Sequence, residues 1–199
     1  MFVLTLDQRA SRATPDLVRA EANSLNDQFS SGLRLPFVRT AGDEMQALVS
    51  DPADLVDLVL RATRSEQWWA GVGIGAIDDI GETARDSRGP AFVSARAAVE
   101  QAKKNAWGCS VQGEPEALAT ALEDSLALLV FLRASRTSRA WELVDMATGE
   151  GMRAIDIARE LGISKQAVSK QLRAAGFAEE QRGRGLAIAL LQGSWTPLS

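Results

Sequence analysis

The sequence predicts an α+β fold, a mixed domain followed by an all-α helix-turn-helix domain, and three observations carry this. Over the first hundred residues, short apolar runs rich in β-formers alternate with amphipathic helical stretches in the order β-α-β-β-α-β-α. That order suits an antiparallel or mixed sheet with helices on one face, a ferredoxin-like arrangement. After Pro115 the strand-like alternation stops and the pattern becomes helical. Near residue 162 a glycine separates two short apolar faces at the spacing of a helical hairpin. The expected organisation is an α+β domain over residues 1–110, a helical connector over 114–136 and the helix-turn-helix domain over 137–199.

The first strand is FVLTL, a short run of β-formers. Pro15 opens a helix whose apolar positions are Leu17, Val18, Leu25 and Phe29, and Gly32 breaks it. LRLPFVRT alternates as a strand, with Pro36 marking an edge or a bulge. AGDE turns the chain and MQALVS returns. Asp51 precedes Pro52 at a second helix start, with Leu55, Val56, Leu58, Val59 and Leu60 buried. WWAGVGIGAI is a strand whose glycines leave room for close backbone approach. It is too short and lacks the following helix start of a dinucleotide fingerprint. Alternation sends Trp68 and Trp69 to opposite faces, one to the core and one to a rim. Residues 78–89 are a polar loop, and GPAFVSARAAVEQAKK is a third helix.

Beyond it, Leu118, Leu122, Leu126, Leu129 and Leu132 form one stripe, read as a core helix or a dimer helix. Trp141, Leu143, Val144 and Ala147 mark another helix, closed by Gly149 and Gly151.

Composition excludes several chemistries. There is no histidine and one cysteine, Cys109, so neither a histidine-based nucleophile nor a zinc site can be built. Any metal must be a hard cation held by carboxylates, such as magnesium or manganese. No apolar run approaches the roughly 20 residues that span a bilayer. FVLTL, cut short by Asp7, lacks the basic flank of a signal peptide, and with a lone cysteine the expected location is cytoplasmic, away from membranes. The net charge of −4 hides an asymmetry: residues 1–132 carry 12 Lys+Arg against 19 Asp+Glu, and residues 133–199 carry 10 against 7. Basic character sits in the C-terminal third.

There, MRAIDIARELGISKQAVSKQLRAAG has helix-turn-helix spacing. Ala154, Ile157, Ala158 and Leu161 give one apolar face. Gly162 falls where the turn needs a left-handed backbone, Ile163 plugs it and Ser164 caps the second helix. Val168 and Leu172 point inward, which leaves Ser164, Lys165, Gln166, Ser169, Lys170 and Arg173 outward: donors for base edges and phosphates, with no carboxylate among them. A helical hairpin used only for protein contact is the alternative. QRGRG, residues 181–185, adds Arg182 and Arg184 as a wing touching DNA or as a solvated loop.

Four blocks, LTLDQRASR, TAGDEMQALV, GVGIGAI and RGPAFVSAR, resemble in that order the streptococcal SatD-like family of bacterial proteins, whose members commonly continue into a helix-turn-helix tail. The resemblance covers most of residues 1–104. More distantly the blocks resemble class III nucleotidyl cyclases, where one metal-binding aspartate follows the first strand and a second lies in a G-D turn. Asp7 and Asp43 match those positions, so the resemblance implies Mg2+ with a nucleotide as the ligand there. It also implies ligand roles for Arg39, where cyclases often place a base-reading lysine, and for Arg96, near their transition-state arginine. Phe92 stands where those cyclases keep an asparagine, and it cannot hold a ribose hydroxyl.

The expected function is a sequence-specific DNA-binding transcriptional regulator whose N-terminal domain senses a ligand or mediates dimerisation. Its expected partners are double-stranded DNA, a second copy of the chain and a nucleotide. The rival is a magnesium-dependent, cyclase-like enzyme acting on nucleoside phosphates and tethered to DNA.

Overall fold

The computed structural model describes residues 1–149 and 151–193; position 150 and residues 194–199 of the expected C-terminal domain lie outside them. The protein is mixed α and β. In chain order the elements are β1 (Phe2–Gln8), α1 (Val18–Gln28), β2 (Leu33–Ala41), β3 (Glu44–Val49), α2 (Pro52–Ser65), β4 (Trp68–Ile74), α3 (Pro90–Ala102) and β5 (Cys109–Gly113). Then come α4 (Glu116–Ala134), α5 (Ser138–Thr148), α6 (Ala154–Glu160), α7 (Lys165–Ala174) and α8 (Phe177–Leu191).

The strands form one sheet in the order β2-β3-β1-β4-β5. β1 is antiparallel to both β3 and β4, and β5 joins β4 in parallel. β1 is buried along its whole length, as a central strand covered on both faces must be. Leu4 and Leu6 enter a core shared with Leu25 of α1, Leu55 and Val59 of α2, and Leu122 and Leu126 of α4. Val3 and Leu48 point the other way, toward Ala91, Phe92 and Ala95 of α3. The sheet therefore carries helices on both faces, which corrects the expectation of helices on one face. Helical periodicity shows that a helix has an apolar stripe, but not which side of a sheet receives it.

Local signals act where the sequence places them. Asp51 Oδ1 accepts from the backbone N–H groups of Ala53 and Asp54, capping α2. Pro36 lies on the edge strand β2, whose pairing with β3 shifts register on both sides of it. Trp68 is buried, and Trp69 lies partly exposed under the Arg9 guanidinium, 3.6 Å from its ring centre. The leucine stripe of α4 packs into the main core at Leu122, Leu126 and Leu129.

Two features escaped the sequence pattern. β5 has only two apolar residues, Cys109 and Val111, in five, and forms because β4 offers a parallel neighbour. QRGRG is neither wing nor loop; it lies inside α8. Gly183 sits where α8 meets α4, and a Cβ there would come within 2.7 Å of Leu129 Cδ2. The glycine that reads as a loop signal is the contact that lets the two helices approach.

α5, α6 and α7 gather around their own small core of Leu143, Ile157, Ala158 and Val168. α8 then returns to the main core through Ala187 and Leu191. Among the described residues no helix is long and apolar enough to cross a membrane.

α3 approaches β4 with no side chain between the backbones. A Cβ on Gly71 would lie 2.2 Å from the Val99 nitrogen, and one on Gly73 would lie 1.9 Å from the Ala91 oxygen. Backbone cannot swing aside as a side-chain tip can. Gly73→Ala is therefore expected to cost about 3 kcal/mol, at the upper end of overpacking effects. A urea midpoint unchanged from wild type would show that α3 can lift without loss.

Candidate functional site

The hairpin between β2 and β3 turns through two residues, Gly42 and Asp43, because Ala41 pairs with Glu44. Gly42 takes φ +52° at the first turn position, where a two-residue hairpin favours glycine. The turn folds onto the end of β1: the Gln8 N–H donates to the Asp43 carbonyl at 3.1 Å. Ser11 Oγ donates to the Asp43 carboxylate. Asp7 lies one residue before Gln8, and its carboxylate is close enough to Asp43 for the two charges to repel. The two aspartates thus share one corner.

The cation at that corner is a lysine. Lys103, just past the end of α3, places Nζ 3.0 Å from Asp7 Oδ2 and 2.7 Å from Glu100 Oε1. Burial pushes the Asp7 carboxyl above its ordinary value; the Lys103 ammonium opposes this and the Asp43 charge adds to it. Burial works against the Lys103 ammonium as well, yet its bonds to Glu100 and Asp7 outweigh that and hold it above the usual lysine value. Lys103 carried no motif in the sequence; the helix end that delivers it is 96 residues from Asp7.

Arg96 and Arg39 bind neighbours of the two aspartates rather than the aspartates themselves. Arg96 reaches Glu44 at 3.1 Å, with its side chain 61% exposed. Arg39 donates to the Gly42 carbonyl at 2.9 Å and pairs with Asp16 at 2.5 Å, bracing the hairpin from outside. The Asp16 carboxyl is held below its ordinary value by that guanidinium. Phe92 is buried among Ala84, Ala91 and Ala95. Between hairpin and α3 lies an open groove of about 610 Å³ lined by Thr40, Gln46, Phe92, Arg96 and Glu100.

In this arrangement both aspartates are engaged, Asp7 by an ammonium and Asp43 by a hydroxyl. Magnesium takes one or two carboxylates and completes its shell with water and phosphate oxygens. Asp7 and Asp43 would hold one only after Lys103 left Asp7.

The second candidate surface is on α7. Gly162, at φ +64°, lets the chain reverse between α6 and α7, and the Ile163 N–H donates to the Ala158 carbonyl at 3.1 Å. Ser164 caps α7, its Oγ accepting from the Ala167 N–H at 3.1 Å. Lys165, Gln166, Lys170 and Arg173 are exposed and Ser169 is partly so, while Val168 is buried. Of the two arginines farther on, Arg182 is exposed on α8, whereas Arg184 is committed to Asp57 of α2, at 2.5 Å.

A model of the SatD family matches residues 7–191, nearly the whole chain. The chain belongs to the SatD family. No curated protein and no solved structure matches it. The family match runs from Asp7 to the last residue of α8, so it takes in both the aspartate corner and the α6–α7 pair of this SatD family protein.

Lys103→Met tests the corner. Asp7 would then be a buried carboxylate without its counter-charge, costing about 2 kcal/mol at pH 7, as for a lost hydrogen bond between charged groups. Its folded pKa would rise further above the reference value of 3.8. A carboxyl whose pKa is raised on folding binds its proton more readily when folded. Stability therefore falls as pH rises through the window between the two values. The deficit relative to wild type should be full at pH 7 and shrink toward pH 4. A deficit independent of pH in denaturant melts would place the effect outside Asp7.

Proposed function

We propose that this protein is a sequence-specific DNA-binding transcriptional regulator, with α6 and α7 as a helix-turn-helix and α7 as the helix that enters the major groove. The observation that carries this is the outward face of α7. Lys165, Gln166, Lys170 and Arg173 are exposed along it, no carboxylate lies on the helix, and none of its three cations is in an ion pair among the described residues. A surface used only for packing has no reason to keep three cations unpaired. Phosphate-facing surfaces do, because each phosphate contact releases condensed counterions. Ser164 and Gln166 lie at the start of α7, where a recognition helix meets base edges.

The sheet domain then serves as sensor or as dimerisation unit. Leu128 and Phe131, three residues apart on α4, are 70% and 64% exposed and offer an apolar surface to a second copy. Two copies would present two α7 helices to half-sites about 34–36 Å apart. The rival, a magnesium-dependent enzyme on nucleoside phosphates, is disfavoured by the lysine on Asp7.

Selection of binding sites from random duplexes, followed by fluorescence anisotropy of the full chain, tests this reading. The logarithm of the affinity should fall linearly with log salt, by about 0.9 per phosphate contact. Gln166→Ala or Lys170→Ala should cost about 1–3 kcal/mol on the selected site and less on random DNA. Equal losses on both would mean that α7 does not read bases, and a flat salt dependence would remove DNA binding altogether.

A further inference from the structure

The seam between the sheet domain and the α5–α7 unit encloses a cavity of about 280 Å³, lined by Arg9, Arg64, Arg133, Arg136, Trp107 and Trp141 among others. Four guanidiniums converge on it from three parts of the chain. Three of them stand over the Trp141 ring, Arg64 at 3.8 Å and Arg133 and Arg136 each at 4.9 Å from its centre. Of the carboxylates around them, Glu66 lines the cavity, while Asp57, Asp145 and Glu180 stand outside it. Asp145 holds Arg64 at 2.6 Å, and Glu180 is shared by Arg133 at 3.3 Å and Arg136 at 2.7 Å. Arg136 is 9% exposed, its Nε donates to the Ala175 carbonyl, and its Nη2 is buried with no hydrogen-bond partner. Arg133 Nε is buried as well and lies 3.3 Å from Glu180 Oε1. A buried donor on a charged group left unpaired is costly, and such donors rarely persist without a purpose.

We propose that this cavity binds a phosphate ester carrying one flat ring, the chemistry of a nucleoside monophosphate. The inference rests on the reading of the sheet domain as a sensor and gives that sensor a location other than the aspartate corner. Planar guanidiniums match phosphate oxygens bidentately, which a lysine cluster would not do as well. A phosphate here adds negative charge to a cavity lined by four guanidiniums and one carboxylate. Crowded burial already shows in Arg133, which desolvation lowers to about 10 against the pull of Glu180. Trp107, 37% exposed and edge-on to Phe131 with ring centres 6.1 Å apart, supplies an indole to the same cavity for a ring to stack on. The volume falls just below the usual range of ligand pockets, which run from about 300 Å³ upward, and leaves no room for a dinucleotide.

Calorimetric titration of the full chain with AMP, GMP, CMP, UMP, adenosine and inorganic phosphate tests the site, with tryptophan fluorescence as a second readout. At least one monophosphate should bind and change the fluorescence. Adenosine and inorganic phosphate should each bind at least tenfold more weakly than the best monophosphate. Arg64→Gln and Arg136→Gln should each weaken that monophosphate at least tenfold. Because Arg136 is buried and its replacement puts folding at risk, Arg9→Gln, at the partly exposed end of the cavity, is the companion, with circular dichroism to establish that each variant is folded. Absence of binding by all four monophosphates would overturn the proposal. So would adenosine or phosphate binding as tightly as the best monophosphate, or folded Arg9→Gln and Arg64→Gln proteins with unchanged affinity. DNA affinity is measured in a separate titration without nucleotide, so failure of the cavity and failure of α7 as a DNA reader give different results.

Discussion

The backbone of α3 lies directly on β4, and much of the molecule follows from that contact. Gly71 and Gly73 remove the side chains that would hold the helix off, and Ala91, Ala95, Ala98 and Ala102 keep the facing side of α3 small. Seated this low, the helix brings Lys103 onto Asp7 and Arg96 onto Glu44. The same approach buries Asp7, which is why its carboxyl is shifted and why its partner matters. A packing contact between glycine and alanine thus sets the electrostatics of a corner several residues away.

A second constraint works on the other face of the sheet, the one that α2 and α4 cover. Arg133 and Arg136 follow α4 outward and Glu180 comes back with α8, so the three charges close around the seam where α5 departs and α7 returns. Removing such ions from water costs several kcal/mol each, recovered only while they stay together. Arg64 adds a link from α2 to Asp145 and Trp141 of α5. The α5–α7 unit is therefore tied to the sheet domain by charge and aromatic contacts at one seam, while its own small core holds its three helices together.

Much of this was legible from the residues. The β-α-β-β-α-β-α order, the Asp51 cap, the edge position of Pro36, the split of Trp68 from Trp69 and the Gly162 turn all rest on interactions within a few positions of the chain, and each appears. The shared corner of Asp7 and Asp43 came from a resemblance, since spacing alone cannot join residues 36 positions apart. What failed has a common cause. β5 is too short to announce itself and exists through its neighbour β4. Gly183 and Gly185 carry a loop signature, but packing on Leu129 and the pair between Arg184 and Asp57 hold them helical.

The sequence by itself determined which segments are strands and helices, where caps and turns fall, and that the exposed side of α7 is cationic, because those properties are carried by near neighbours and by periodicity. Only the tertiary structure decided which face of the sheet α3 covers, that a lysine stands at the aspartate corner, and that four arginines from distant segments line one cavity with two tryptophans. Charges far apart in the chain acquire partners through the paths of the helices that carry them. Those paths are set by steric fit between elements, which no local pattern records.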